Sequence, residues 1–149
     1  MINENLKLSG QLNIVLRDKD GNIKEERTEK NLVVSAGLTF IASRMKNATA
    51  TAMTHMGLGS GTTNVAAGQT DLVTLLGSRE VLDSTTASSN TIAYVASFEA
   101  GDATGAVTEA GIFNAASSGT MLCRVKFNVV NKAADDTMAV TWTITLSAT

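Results

Sequence analysis

The chain has 149 residues, a net charge of −2 and a pI near 5.3. Hydrophobic residues make up 44% and charged residues 17%, which is material for one domain burying roughly two-thirds of its unfolded surface. Without a clustered basic stretch there is no electrostatic footprint for nucleic acid. A lone cysteine, Cys123, excludes an intramolecular disulfide and a cysteine-based zinc cluster. No apolar run reaches the length of a membrane span, and Met1-Ile2-Asn3-Glu4-Asn5 lacks the regions of a signal peptide, so a cytosolic chain is expected. Sparse charge among many small polar side chains makes a surface that costs little to desolvate, which suits permanent assembly.

In chain order, Leu6, Leu8, Leu12, Ile14 and Leu16, interrupted by Gly10, predict a long strand with a bulge at the glycine. Residues 1–17 form either an intramolecular strand or an N-terminal arm. In the second case Leu6, Leu8, Leu12 and Ile14 bind a partner's sheet edge. Asp18-Lys19-Asp20-Gly21-Asn22 is dense in turn formers and predicts a hairpin into a charged, polar strand over 23–28. Its carboxylates suggest a calcium loop, but the glycine is misplaced and the closing glutamate is missing. Ser35 is a candidate N-cap for a helix over 36–46, with Leu38, Ile41, Ala42 and Met45 at helical spacing. Gly37 weakens its first turn, and Arg44 and Lys46 complement its dipole.

Residues 47–54 read as a loop, and the sequon Asn47-Ala48-Thr49 as part of it. A short buried strand at 56–58 runs into a glycine turn. Thr70 is placed to cap a brief helical turn over 71–76 that Gly77 ends. Glu80-Val81-Leu82 begins another strand. The β signal then strengthens: Ile92, Tyr94, Ala96 and Phe98 alternate over 91–98, a strand spans 107–113, and Met121, Cys123, Val125, Phe127 and Val129 share one face. The plainest strand is 137–146, where Met138, Val140, Trp142, Ile144 and Leu146 alternate with small or hydroxyl residues. The expected core is anchored by Trp142, Ile144, Phe127, Phe113 and Phe98. About eight strands and one short helix predict a mainly β domain over 1–149, an antiparallel β-sandwich or jelly roll. The chain contains no proline, so its sheet edges are protected by charge or covered by a neighbour.

Catalytic chemistry has little to stand on. Gly57-Leu58-Gly59-Ser60-Gly61-Thr62-Thr63 is a candidate phosphate cradle without the P-loop lysine or the third dinucleotide-fold glycine. His55 is the single histidine; a multi-histidine metal site is ruled out, and a nucleophilic relay would rest on it alone. Asp102, Asp135 and Asp136 lie in turns, and Glu109 has no evident partner for two-carboxylate chemistry. Cys123 reads as a buried, inert thiol. The expectation is a non-enzyme without metal or cofactor.

Four strings, Asn31-Leu32-Val33-Val34-Ser35-Ala36-Gly37, Gly57-Leu58-Gly59-Ser60-Gly61-Thr62-Thr63, Glu109-Ala110-Gly111-Ile112-Phe113-Asn114 and Thr141-Trp142-Thr143-Ile144-Thr145-Leu146, follow one another in an order that resembles accessory virion proteins of tailed bacteriophages. Similar strings occur in capsid cement (decoration) proteins and in tail-fibre-like proteins. The resemblance implies a jelly-roll-type fold that reinforces an assembled shell without catalysis. Its partner would be the major capsid protein, its location the capsid surface of the virion, and its form on the shell a homodimer or homotrimer. The compact chain, free of fibrous repeats and heptads, favours cement over a tail, tail-fibre or baseplate component.

Overall fold

The computed structural model describes residues 5–46 and 50–148. Strands β1 (Leu6–Arg17) and β2 (Ile23–Val33) lead into helix α1 (Ser35–Lys46). β3 (His55–Gly59), β4 (Glu80–Val81), β5 (Ser84–Ser88), β6 (Thr91–Phe98), β7 (Gly105–Phe113), β8 (Met121–Lys132) and β9 (Thr137–Ala148) follow. All pair antiparallel in one nine-stranded sheet, ordered β4-β3-β7-β8-β2-β1-β9-β6-β5. The sheet curls on itself, so the fold is mainly β and of the sandwich or jelly-roll kind. The chain passes between the layers within β2, from β4 to β5, from β6 to β7 and from β8 to β9. β2 pairs with β1 from Ile23 to Asn31 and then passes Leu32 and Val33 to β8. On the opposite side β4 pairs with β3, the Leu82 N–H donates to the Thr54 carbonyl, and Asp83 and β5 turn to β6.

Alternation fills the space between the layers. Met138, Val140, Trp142 and Ile144 of β9 meet Leu12, Ile14 and Leu16 of β1, Tyr94, Ala96 and Phe98 of β6, and Cys123, Val125 and Phe127 of β8, all buried. Phe113 is buried in a second cluster with Val34, Leu72 and Met121, on the other face of the β7–β8 pair. Leu146 is half-buried at the end of its row.

Several expectations are corrected by packing. Gly10 carries no bulge, because β1 keeps unbroken register with β9 from Leu6 opposite Ala148 to Arg17 opposite Thr137. A Cβ at Gly10 would lie 1.5 Å from Asn31 Oδ1, and that oxygen accepts the Trp142 indole N–H at 2.8 Å. The glycine makes room for the one polar partner of the core tryptophan. Of the two readings of residues 1–17, the described residues take the intramolecular strand: β1 pairs with both β2 and β9 from Gly10 onward, and Leu6–Ser9 pair with β9 alone. Residues 1–4 lie outside the described residues.

Helix α1 begins as expected but turns a different face inward. Val34 rather than Ser35 occupies the cap position, since its carbonyl accepts the Leu38 N–H. Gly37, Phe40 and Ile41 face the sheet, while Leu38, Ala42 and Met45 are exposed. Gly37 decides the rotation: a Cβ there would stand 2.0 Å from the Leu122 carbonyl oxygen, so only glycine lets the helix seat on β8. Residues 71–76 form no helical turn but run beside β3, with Leu75 bridging Gly59. β5 was not foreseen at all. In β8 the pairing slips between Val107 opposite Val130 and Glu109 opposite Lys126, so Val130 enters the core and Val129 faces solvent.

Candidate functional site

The glycine run, a phosphate-cradle candidate that lacked the P-loop lysine, lies instead against one of the protein's own carboxylates. Gly57 and Gly59 belong to β3, and Gly61 follows. A Cβ at Gly59 or Gly61 would lie 2.5 Å from Glu109 Oε1, so these glycines admit the side chain of β7. Oε1 accepts the N–H groups of Gly61 (2.9 Å) and Thr74 (2.8 Å), and Oε2 accepts that of Val73 (3.0 Å). Arg124 completes the arrangement, with Nε 2.9 Å and Nη2 2.7 Å from Oε2, both side chains fully buried. Its Nη1 donates to the Thr63 carbonyl and to Gln69 Oε1. The partner of Glu109 that sequence could not supply is therefore Arg124, opposite Gly111 on the adjacent strand. Backbone donors converging on a carboxylate are the chemistry of phosphate sites, here spent on locking residues 60–76 over β3 and β7.

A second buried cation secures the same region. Arg79 Nη1 donates to the carbonyls of Ala115 and Ser118, Nη2 pairs with Asp71, and the guanidinium lies 3.5 Å from the Phe113 ring centroid. Neither arginine is free to act on a ligand.

The remaining candidates disperse. His55 sits on β3 between Val81 and Phe113 with Nδ1 2.7 Å from Thr54 Oγ1. Among the described residues no group of His, Cys, Asp and Glu side chains could hold a metal ion. Asp18 caps its own hairpin, accepting the N–H groups of Asp20 and Asn22. Asp136 accepts from Lys24 Nζ and the Ala133 N–H, and these hold its carboxyl below the usual range. Asp102 caps the Glu99 N–H. Burial pushes the Cys123 thiol well up, which disfavours the thiolate. The sequon Asn47-Ala48-Thr49 lies outside the described residues. No described helix is long and apolar enough to cross a membrane.

No family model, curated protein or solved structure matches the chain. Its surfaces therefore speak for themselves. The outer face of β1 and β9 is a shallow groove of about 580 Å³ lined by Ser9, Gln11, Asn13, Thr141, Thr143 and Thr145, with Lys7 and Lys30 at its margin. The edge strand β5, Ser84-Thr85-Thr86-Ala87-Ser88, is exposed at every position and, among the described residues, pairs on one side only, with β6. Between the inner face of β1, β9, β6 and β5 and helix α1 opens an apolar cavity of about 340 Å³.

Proposed function

We propose that the chain is a structural virion protein that binds the assembled major capsid lattice of a tailed phage and stabilises the head, as a cement or decoration protein without catalysis. The observation that carries the reading is β5. An exposed strand edge offers a row of unpaired N–H and C=O groups to any passing strand, and soluble proteins blunt such edges with charge, proline or a bulge. Ser84–Ser88 has neither charge nor proline. A neighbour covering it, a capsid subunit or a second copy in a dimer or trimer on the shell, removes the liability. The hydroxyl-rich groove on β1 and β9 adds surface that costs little to desolvate, and the resemblance of the four strings points the same way.

A protein that binds only the assembled lattice stabilises it by mass action, and many modest contacts add through avidity. Quantitative mass spectrometry of purified particles tests the assignment. Hundreds of copies per particle are expected. A handful would move the chain to the tail, tail fibre or baseplate, and absence from particles would overturn the virion reading.

A further inference from the structure

The 340 Å³ cavity is independent of the virion reading and has the makings of a ligand site. Its walls are Leu8, Ile144 and Leu146 of the sheet, Phe40 and Ile41 of α1, and Met53 before β3, with Thr85 and Ala87 of β5 at one side. Interiors of folded proteins are close-packed, with few voids larger than a water molecule; this one lies in the size range of small-molecule pockets, at the open mouth of a curled sheet where such pockets recur. Two polar groups converge on its apolar lining. Tyr94, 6% exposed as a residue, is one of the groups that line it. Arg44 stands at the same cavity, and one of its nitrogens donates to the Ala50 carbonyl at 2.8 Å. Among the described residues no acidic side chain lines the site.

We propose that this cavity binds a small amphiphile with an unbranched apolar chain and a carboxylate head, the chain against Ile41, Met53 and Ile144 and the head between Arg44 and the Tyr94 hydroxyl. A guanidinium and a phenol O–H both donate to a carboxylate, and charge-assisted bonds of this kind are about twice as strong as neutral ones. The apolar wall supplies affinity in proportion to chain length, roughly fourfold per methylene buried. The Tyr94 hydroxyl donates as the neutral phenol at all ordinary pH, because burial pushes its pKa up to about 12.

Isothermal titration of the full chain with sodium decanoate, beside octanoate and 1-decanol, tests this. One saturable site is expected, tighter for decanoate than for octanoate, with 1-decanol at least tenfold weaker. Tyr94→Phe and Arg44→Gln should each weaken decanoate about tenfold, the loss of one charge-assisted hydrogen bond. Ala87→Phe, at an exposed position that lines the cavity, fills it and should abolish binding while the thermal midpoint holds. No saturable binding below roughly 1 mM, a weak limit for a small ligand, would overturn the site. So would binding indifferent to Ala87→Phe, and equal affinity for 1-decanol would overturn the carboxylate.

Discussion

Glu109 shows how one residue can hold a region that carries no regular structure. Its carboxylate gathers the N–H groups of Gly61, Val73 and Thr74 and neutralises Arg124 in a site without water access. Removing one member of a buried pair strands the other charge, which typically costs 3–5 kcal/mol, whereas replacing both by apolar groups is far milder. Glu109→Gln should therefore lower stability by about 3–5 kcal/mol in urea unfolding, and Glu109→Leu with Arg124→Met should recover much of the loss. A Glu109→Gln variant as stable as the parent contradicts the lock. Trp142 is the corresponding anchor of the main core. Trp142→Ala should cost about 3–5 kcal/mol, and Gly10→Ala, which displaces Asn31 from the indole N–H, about 1–3 kcal/mol by leaving a buried donor unpaired. An unchanged urea midpoint in either variant would count against this packing.

Among the elements, α1 makes the sharpest test of packing against propensity. Alanine in place of a helical glycine ordinarily stabilises by up to about 1 kcal/mol. Gly37→Ala should instead destabilise by about 1–3 kcal/mol, the usual cost of overpacking, because the new methyl meets the Leu122 carbonyl; a rise in the thermal midpoint would contradict the seating. The helix itself was legible from its spacing, but its inward face was not, since Leu38 and Met45 read as apolar while the close approach needed a residue with no side chain. The strands rich in alternation, β1, β6 and β9, were legible for the same reason that they hold the core. β5 was invisible because Ser84–Ser88 has no apolar period and is fixed by pairing with β6 alone. The Glu109–Arg124 pair was invisible because a residue's partner across two strands is set by register, and register slips beside it. At β5, Thr86→Lys places a charge on an exposed edge position; it should leave the thermal midpoint unchanged and reduce binding to purified heads at least tenfold.

Across the described residues the molecule is a curled sheet that begins at β4 and ends at β5, so it has edges rather than the closed ring of a barrel. Its acid sensitivity follows from groups that tie loops to this frame. The carboxyl of Asp136 is lowered chiefly by the hydrogen bond from Lys24 and then by the Ala133 N–H. A carboxyl lowered by folding contributes stability that is complete above the unfolded value near pH 4 and is lost as the pH falls through its lower native value. Urea midpoints measured from pH 6 down to pH 2 should fall in that window, and Asp136→Asn should flatten the fall; an unaltered slope contradicts the assignment.

The proposed virion role requires that a neighbour cover the edge strand β5. Amide hydrogen exchange of Ser84–Ser88, followed by mass spectrometry in the free protein and in intact particles, reads this directly. Fast exchange in solution and strong protection on the particle are predicted. Equal exchange in both states, with the chain present in the particle, would contradict it.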